Sequence, residues 1–308
     1  MTTTALITHR DCWLHDMGAH HPECPERLSA INDRLIASGI DLYLSSYDAP
    51  QATVEQLSRP HPKEYVEEIL VAAPEHGIRH LDPDTAMSPG TVKAALRSAG
   101  AGVMAVDLVM SGEVESAFCA VRPPGHHAER AKAMGFCFFN NVAVAACHAL
   151  EAHGLKRVAI IDFDVHHGNG TENIFAGDER VLMVSTFQHP FYPYSGTDNV
   201  ASNMVNVPVP AGTRGDGFRQ IVSDIWVPAL RNFSPEMILI SAGFDAHYED
   251  DMGSLGLVEA DYAWVTEQLK QVAAECSKRR VVSILEGGYS LSALARSVTA
   301  HIKALADL

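Results

Sequence analysis

The chain has 308 residues, with 23 Lys and Arg against 38 Asp and Glu, and a formal net charge of −15 when its 16 histidines are neutral. That acidity argues against a partner with a phosphate backbone, so no nucleic acid is expected. Hydrophobic residues at 47% and charged residues at 20% are those of a globular chain able to bury a full core, which excludes disordered and fibrous classes.

In chain order, the N-terminal MTTTALITHRDC has neither a basic n-region nor an apolar h-region, so no leader is expected. Helical periodicity predicts helices over 25–38 and 92–110. The small-residue stretch 94–110 is broken by Arg97 and Asp107, so no membrane span is expected. A buried strand follows over 116–121, then a helix over 141–153 and strands over 158–164 and 181–186. A helix over 217–232, a strand over 237–242, a helix over 257–277, a strand over 281–285 and a helix over 291–306 complete the pattern. Six scattered cysteines without a C-x-x-C pair speak against a disulfide framework and for free thiols in a reducing, cytoplasmic setting. Length alone suggests two domains, but the alternation of strands and helices is unbroken, so one domain over 1–308 is the better reading. Apolar strands alternating with helices predict an α/β fold with a mostly parallel sheet and helices on both faces.

Each polar cluster follows the end of a predicted strand, the end at which open parallel sheets bind ligands. In Asp162-Phe163-Asp164-Val165-His166-His167, two carboxylates two apart at the end of an apolar run need a cation if both are buried. Asp164 and His166 offer one oxygen and one nitrogen, and Asp245 in Gly243-Phe244-Asp245 offers a third ligand from another strand end. Three mixed O/N ligands leave a position open, as in a catalytic zinc site. Taken singly, each of these residues could cap a turn. Arg122-Pro123-Pro124-Gly125-His126-His127 sets two imidazoles on a stiff loop, where near-neutral pKa values suit acid–base work. Glu286-Gly287-Gly288-Tyr289 is a flexible turn that can bring a phenol into a cleft as an oxyanion donor.

Together these segments, from His20-His21-Pro22-Glu23-Cys24-Pro25-Glu26-Arg27 to Gly287-Gly288-Tyr289, closely resemble the zinc-dependent histone deacetylase family, including its bacterial deacetylase-like and acetylpolyamine amidohydrolase members. The resemblance implies the arginase–deacetylase fold and hydrolysis of an N-acylated amine, such as an acyl-lysine peptide or acylpolyamine. It implies Asp164, His166 and Asp245 as zinc ligands and His126 and His127 as the catalytic pair. Asp162 is then the carboxylate that orients His126, and it shares a structural potassium ion with Ser185 and backbone oxygens of Asp164, His166 and Thr186. Asn169 stands where class II members carry asparagine and class I members aspartate, which makes His127 the readier proton carrier. Tyr289 matches the transition-state tyrosine. Gly135-Phe136 and Tyr192 match the walls of the acyl tunnel, Met252 a rim position that holds glutamate in polyamine-specific members, and Arg27 an arginine of an internal product channel.

Two other readings compete. An arginase-like ureohydrolase needs a second metal and more carboxylates, but four residues past Asp164 stands Gly168, and past Asp245 the next metal-capable side chain is His247. A non-catalytic acyl-amide binding module would lack a catalytic group, and none is missing. Whether the native metal is Zn2+ or Fe2+, and whether the chain is a homo-oligomer, the sequence leaves open.

Overall fold

A computed structural model describes residues 3–308. Its strands are β1 (Thr4–Thr8), β2 (Leu44–Asp48), β3 (Arg79–His80), β4 (Ala86–Met87), β5 (Ser116–Cys119), β6 (Val158–Asp162), β7 (Val181–Gln188), β8 (Met204–Val209), β9 (Met237–Ala242) and β10 (Val281–Leu285). The α-helices are α1 (Glu26–Ala37), α2 (Val54–Leu57), α3 (Lys63–Ala72), α4 (Thr91–Ser111), α5 (Asn141–Glu151), α6 (Asn169–Phe175), α7 (Gly215–Ile221), α8 (Val227–Phe233), α9 (Glu259–Cys276) and α10 (Leu291–Ala306).

Among the described residues eight strands form one sheet in the order β2-β1-β5-β10-β9-β6-β7-β8. Every pairing in it is parallel; β3 and β4 make a separate antiparallel pair. Strands β5, β6, β7, β9 and β10 are buried along their whole length, which requires cover on both faces. Helices α1, α9 and α10 pack as one group and α4 with α5 as another. The expected α/β architecture is therefore present, with the sheet wholly parallel.

Several elements differ from expectation. Strand β6 stops at Asp162 because the carboxylates beyond it bond locally. Asp162 Oδ1 accepts from the Asp164 amide at 3.1 Å, and Asp164 Oδ1 from the His166 amide at 2.9 Å, turning the chain out of the ladder. Strand β5 likewise ends at Cys119. The helix expected over 217–232 is α7 and α8 joined by a π-helical turn, Val222–Trp226; Pro228, in the first turn of α8, has no amide to continue α-helical bonding. Strands β1, β2 and β8 were not anticipated. Strand β2 is polar and half-exposed, and β8 contains Pro208, tolerated because it is an edge strand. Helix α4 has the length and apolarity of a membrane span despite Arg97 and Asp107, yet 67% of its apolar window is buried inside the fold, as in a core helix.

Candidate active site

The loops after β5, β6, β9 and β10 carry the polar clusters, and these four strands are neighbours in the sheet. Their ends converge as strand-end geometry predicts. Asp164, His166 and Asp245 are all buried, and their donor atoms lie within 4.8 Å of one another. His166 Nδ1 is 3.0 Å from Asp164 Oδ1 and 3.2 Å from Asp245 Oδ2. Asp245 Oδ1 accepts from the Val165 amide at 2.9 Å, whereas its Oδ2 has no hydrogen-bond partner. Burial and the charge of Asp164 push the Asp245 carboxyl up to about 7. Burial opposes a charged His166, yet Asp164 and Asp245 raise it to about 10. Buried carboxylates this close repel unless a cation lies between them, so the donor set fits a divalent metal ion. Side chains larger than hydrogen are excluded around it: a Cβ on Gly243 would collide with Asp164, and one on Gly287 with both Asp164 and Asp245.

One other group among the described residues has metal-ligand types: Asp107, His148 and His153. There Asp107 Oδ1 sits 2.8 and 2.7 Å from the two Nε2 atoms, while Arg59 Nη1 faces His148 Nδ1 at 2.7 Å. Because arginine only donates, His148 Nδ1 accepts and its Nε2 carries the proton toward Asp107. This cluster is a hydrogen-bonded chain rather than a second metal centre. His247, the alternative second-metal ligand, instead accepts at Nδ1 from the Glu249 amide at 3.1 Å.

The paired imidazoles lie above the metal-ligand group, ring centroids 4.0 Å apart. His126 Nδ1 is 3.0 Å from Asp162 Oδ2 and its Nε2 is 3.7 Å from Asp164 Oδ2. Burial opposes charge on His126, but Asp164 and Asp162 outweigh it and hold its pKa well above the ordinary value. His127 goes the other way: burial, with the neighbouring His126 and His166, holds it well below. The Gly125 position is tight, since a Cβ there would strike the backbone of Asn141.

His127 and His166 open onto a cavity of about 300 Å³, also lined by Gly135, Phe136, Tyr192, Met252 and Tyr289. Tyr192 meets His127 edge-to-face at 5.3 Å, and Phe136 meets Tyr289 likewise at 6.0 Å. Burial and the charge of Asp245 raise the Tyr289 phenol well above its usual pKa, so it stays protonated and able to donate. Ser185 on β7 pairs in register with Asp162, and the neighbouring Thr186 Oγ1 is buried without a partner. Arg27 is fully buried, not on a helix surface. It bonds Glu23 at 3.0 Å and the Gly288 carbonyl at 2.6 Å, and its guanidinium lies 5.0 Å from the Tyr289 ring centre.

Two lining residues, Phe191 and Asp84, escaped sequence reasoning. Phe191 stacks on His166 at 5.4 Å. Asp84 lines the cavity and accepts from the Gly135 amide at 3.0 Å. Asp250 points inward, accepting from the Tyr289 and Ser290 amides at 2.6 and 2.9 Å, so of the two aspartates beside Met252 only Asp251 faces the cavity. The signal that could have found Asp84 is Asp82-Pro83-Asp84-Thr85, an acidic turn; for Phe191 it is the Phe191-Tyr192 pair itself.

Comparison with known proteins identifies the family. A sequence profile of the histone deacetylase domain matches residues 21–305. A "probable deacetylase" of Archaeoglobus fulgidus is 36% identical over 296 residues, 94% of this chain and 82% of that protein. The polyamine deacetylase HDAC10 of Homo sapiens is 36% identical over 323 residues, 98% of this chain and 48% of that protein. A crystal structure of the HDA15 HD domain superposes with a TM-score of 0.93 at 34% identity, covering 99% of this chain and 88% of that one. With a buried Asp-His-Asp group that could hold a metal ion, a histidine pair and a tyrosine set beyond strand ends of the same fold, the chain belongs to the histone deacetylase family and is a hydrolase of amide bonds.

Proposed function

We infer that the chain is a zinc-dependent deacetylase that removes an acetyl or other acyl group from an N-acylated amine. The observation that carries this reading is one cavity of about 300 Å³ lined by His127, His166 and Tyr289, with the buried Asp164 and Asp245 grouped around His166 and His126 beside His127. Asp164, His166 and Asp245 would hold the zinc ion. Bound there, it supplies Lewis-acid polarisation of the acyl carbonyl and lowers the pKa of water. His127, its Nδ1 proton fixed by Asn169, presents Nε2 to the cavity as the base that takes the proton and returns it to the leaving amine. His126, held toward its charged form by Asp164 and Asp162 against burial, steadies the negative charge that develops. Tyr289 donates its hydroxyl proton to the oxyanion, and Phe136 and Tyr192 exclude water around the acyl chain.

Asp162, Ser185 and backbone oxygens of Asp164, His166 and Thr186 are the proposed potassium site, supported by the register that sets Asp162 beside Ser185. Arg27, buried beneath Tyr289, is the proposed product-channel residue.

A second reading, an acetylpolyamine amidohydrolase, is favoured by Asp84 and Asp251 on the cavity, which suit a second amine. Met252 opposes it, being apolar where a charge would hold that amine. Acetate release from an acetyl-lysine peptide by zinc-loaded protein, blocked by a hydroxamate, tests the main reading. A chain that binds two manganese ions and releases no acetate would overturn it.

A further inference from the structure

Glu286 follows the last residue of β10 as a fully buried carboxylate, and none of the roles above uses it. Its Oε2 accepts from the backbone amides of Gly125 at 2.6 Å and His126 at 3.1 Å, and its Oε1 from Ser241 Oγ at 3.0 Å. Its own carbonyl accepts from Arg27 Nη2 at 2.5 Å. The next residue continues the lacing: the Gly287 amide donates to Asp164 Oδ2 at 2.9 Å, and its carbonyl accepts from the Phe244 amide at 3.0 Å. Two consecutive residues therefore tie together the loops after β5, β6 and β9.

The loop holding the imidazole pair has no regular secondary structure, so its buried amides need partners from elsewhere. Glu286 supplies them, with the added strength of a charged acceptor. The His126 peptide is thereby held at both ends, since its carbonyl accepts from the amides of Gly170 and Thr171 at 3.0 and 3.2 Å. A carboxylate is an expensive choice here, because burial pushes it up, to about 7, even against the charge of His126 and the bonds from the two amides. An apolar residue would cost less to bury but would leave two amides and a hydroxyl unpaired.

We propose that Glu286 is a positioning residue for the histidine pair, acting through the backbone of Gly125 and His126 without touching substrate. The proposal rests on the deacetylase reading. The test measures kcat, KM, zinc content and thermal unfolding for Glu286→Gln and Glu286→Ala. Glutamine keeps an oxygen for both amides and turns its NH2 to Ser241, whose hydroxyl can accept. Glu286→Gln is expected to keep kcat within about threefold, while Glu286→Ala lowers it about 10²-fold at little-changed KM and full zinc, the cost of a misplaced catalytic group.

Wild-type kcat in folded, zinc-replete Glu286→Ala overturns the proposal. So does Glu286→Gln as inactive as Glu286→Ala, which would assign the effect to charge. If Glu286→Ala does not fold, Ser241→Ala replaces it. Freeing Oε1 should lower kcat about threefold or more at unchanged KM, and wild-type kcat in that variant is the overturning result. Wild-type protein that releases no acetate refutes the deacetylase reading before any variant is compared.

Discussion

His127 Nδ1 lies 2.7 Å from Asn169 Oδ1, so a neutral amide, not a carboxylate, orients this imidazole. Asn169 Nδ2 is itself committed to Glu129 at 2.9 Å, which fixes which amide atom faces the ring. The Nδ1 proton is thus held, Nε2 keeps its lone pair, and no carboxylate is bonded to Nδ1. His127→Ala is expected to lower kcat by about 10²–10⁴ while zinc stays bound. Loss of zinc from that variant would mean that His127 is a ligand rather than the base.

Tyr289→Phe keeps the ring that packs on Phe136 and Arg27 and removes only the donor. An oxyanion donor predicts a fall in kcat of roughly 10²–10³ with KM little changed. A rise in KM with kcat intact would make Tyr289 a wall of the cavity and nothing more.

Asp245→Asn keeps the bond to the Val165 amide and weakens the ligand. Zinc affinity should drop by more than the roughly 10–100-fold typical of changes one shell further out. Titration against a chelator of known affinity gives the number, and an unchanged affinity would remove Asp245 from the ligand set.

Met252→Glu adds a third acidic group to a cavity already lined by Asp84 and Asp251. The kcat/KM ratio for acetylputrescine over an acetyl-lysine peptide is expected to rise about tenfold, the scale of a single cation pair at a partly screened site. A ratio that does not move would show that the amine binds away from this rim.

Stability should also depend on pH through two buried histidines remote from the metal-ligand group. Burial lowers His301 from 6.5 to about 3 and His61 to about 4. His301 is held neutral by geometry. Thr266 Oγ1 donates to the Tyr262 carbonyl and so accepts from His301 Nδ1, leaving Nε2 to accept from Ser283. His61 Nε2 likewise accepts from the Asn140 amide. Between the lowered and ordinary values only the unfolded chain takes the proton. Their contribution is therefore intact above 6.5 and lost as the pH falls toward 4, by up to roughly 1.4 kcal/mol per pH unit for each histidine. Urea midpoints at pH 7 and 5 for wild type and His301→Met give the test: equal pH dependence in both would exclude His301 as a contributor.

The sequence made the centre legible because burial on both faces forces β-branched runs, and 158–162 and 281–285 show them plainly. Strands β1, β2 and β8 were hidden by shortness, polarity and Pro208, features of strands with less to bury. Asp164, His166 and Asp245 stood out because their chemistry is rare at strand ends. Asp84 and Glu286 did not, because what each does depends on loops 51 and 161 residues away. Arg27 shows the limit from the other side. Its place at the start of an amphipathic helix suggests solvent, but Glu23 and Arg122 pack with it into a buried ion network. That complement is assembled only by the fold.

The order of the sheet has a consequence for how this protein can vary. The proposed ligand set, the imidazole pair and the phenol come from the loops after β5, β10, β9 and β6, the inner four, while β2 and β1 flank them on one side and β7 and β8 on the other. Each inner strand is locked on two sides before the rims are reached. Lengthened loops, an added strand or a docked subunit at β2 or β8 would thus reshape the outline and leave the reaction centre undisturbed. Such a molecule is free to diversify at its periphery while its chemistry stays fixed.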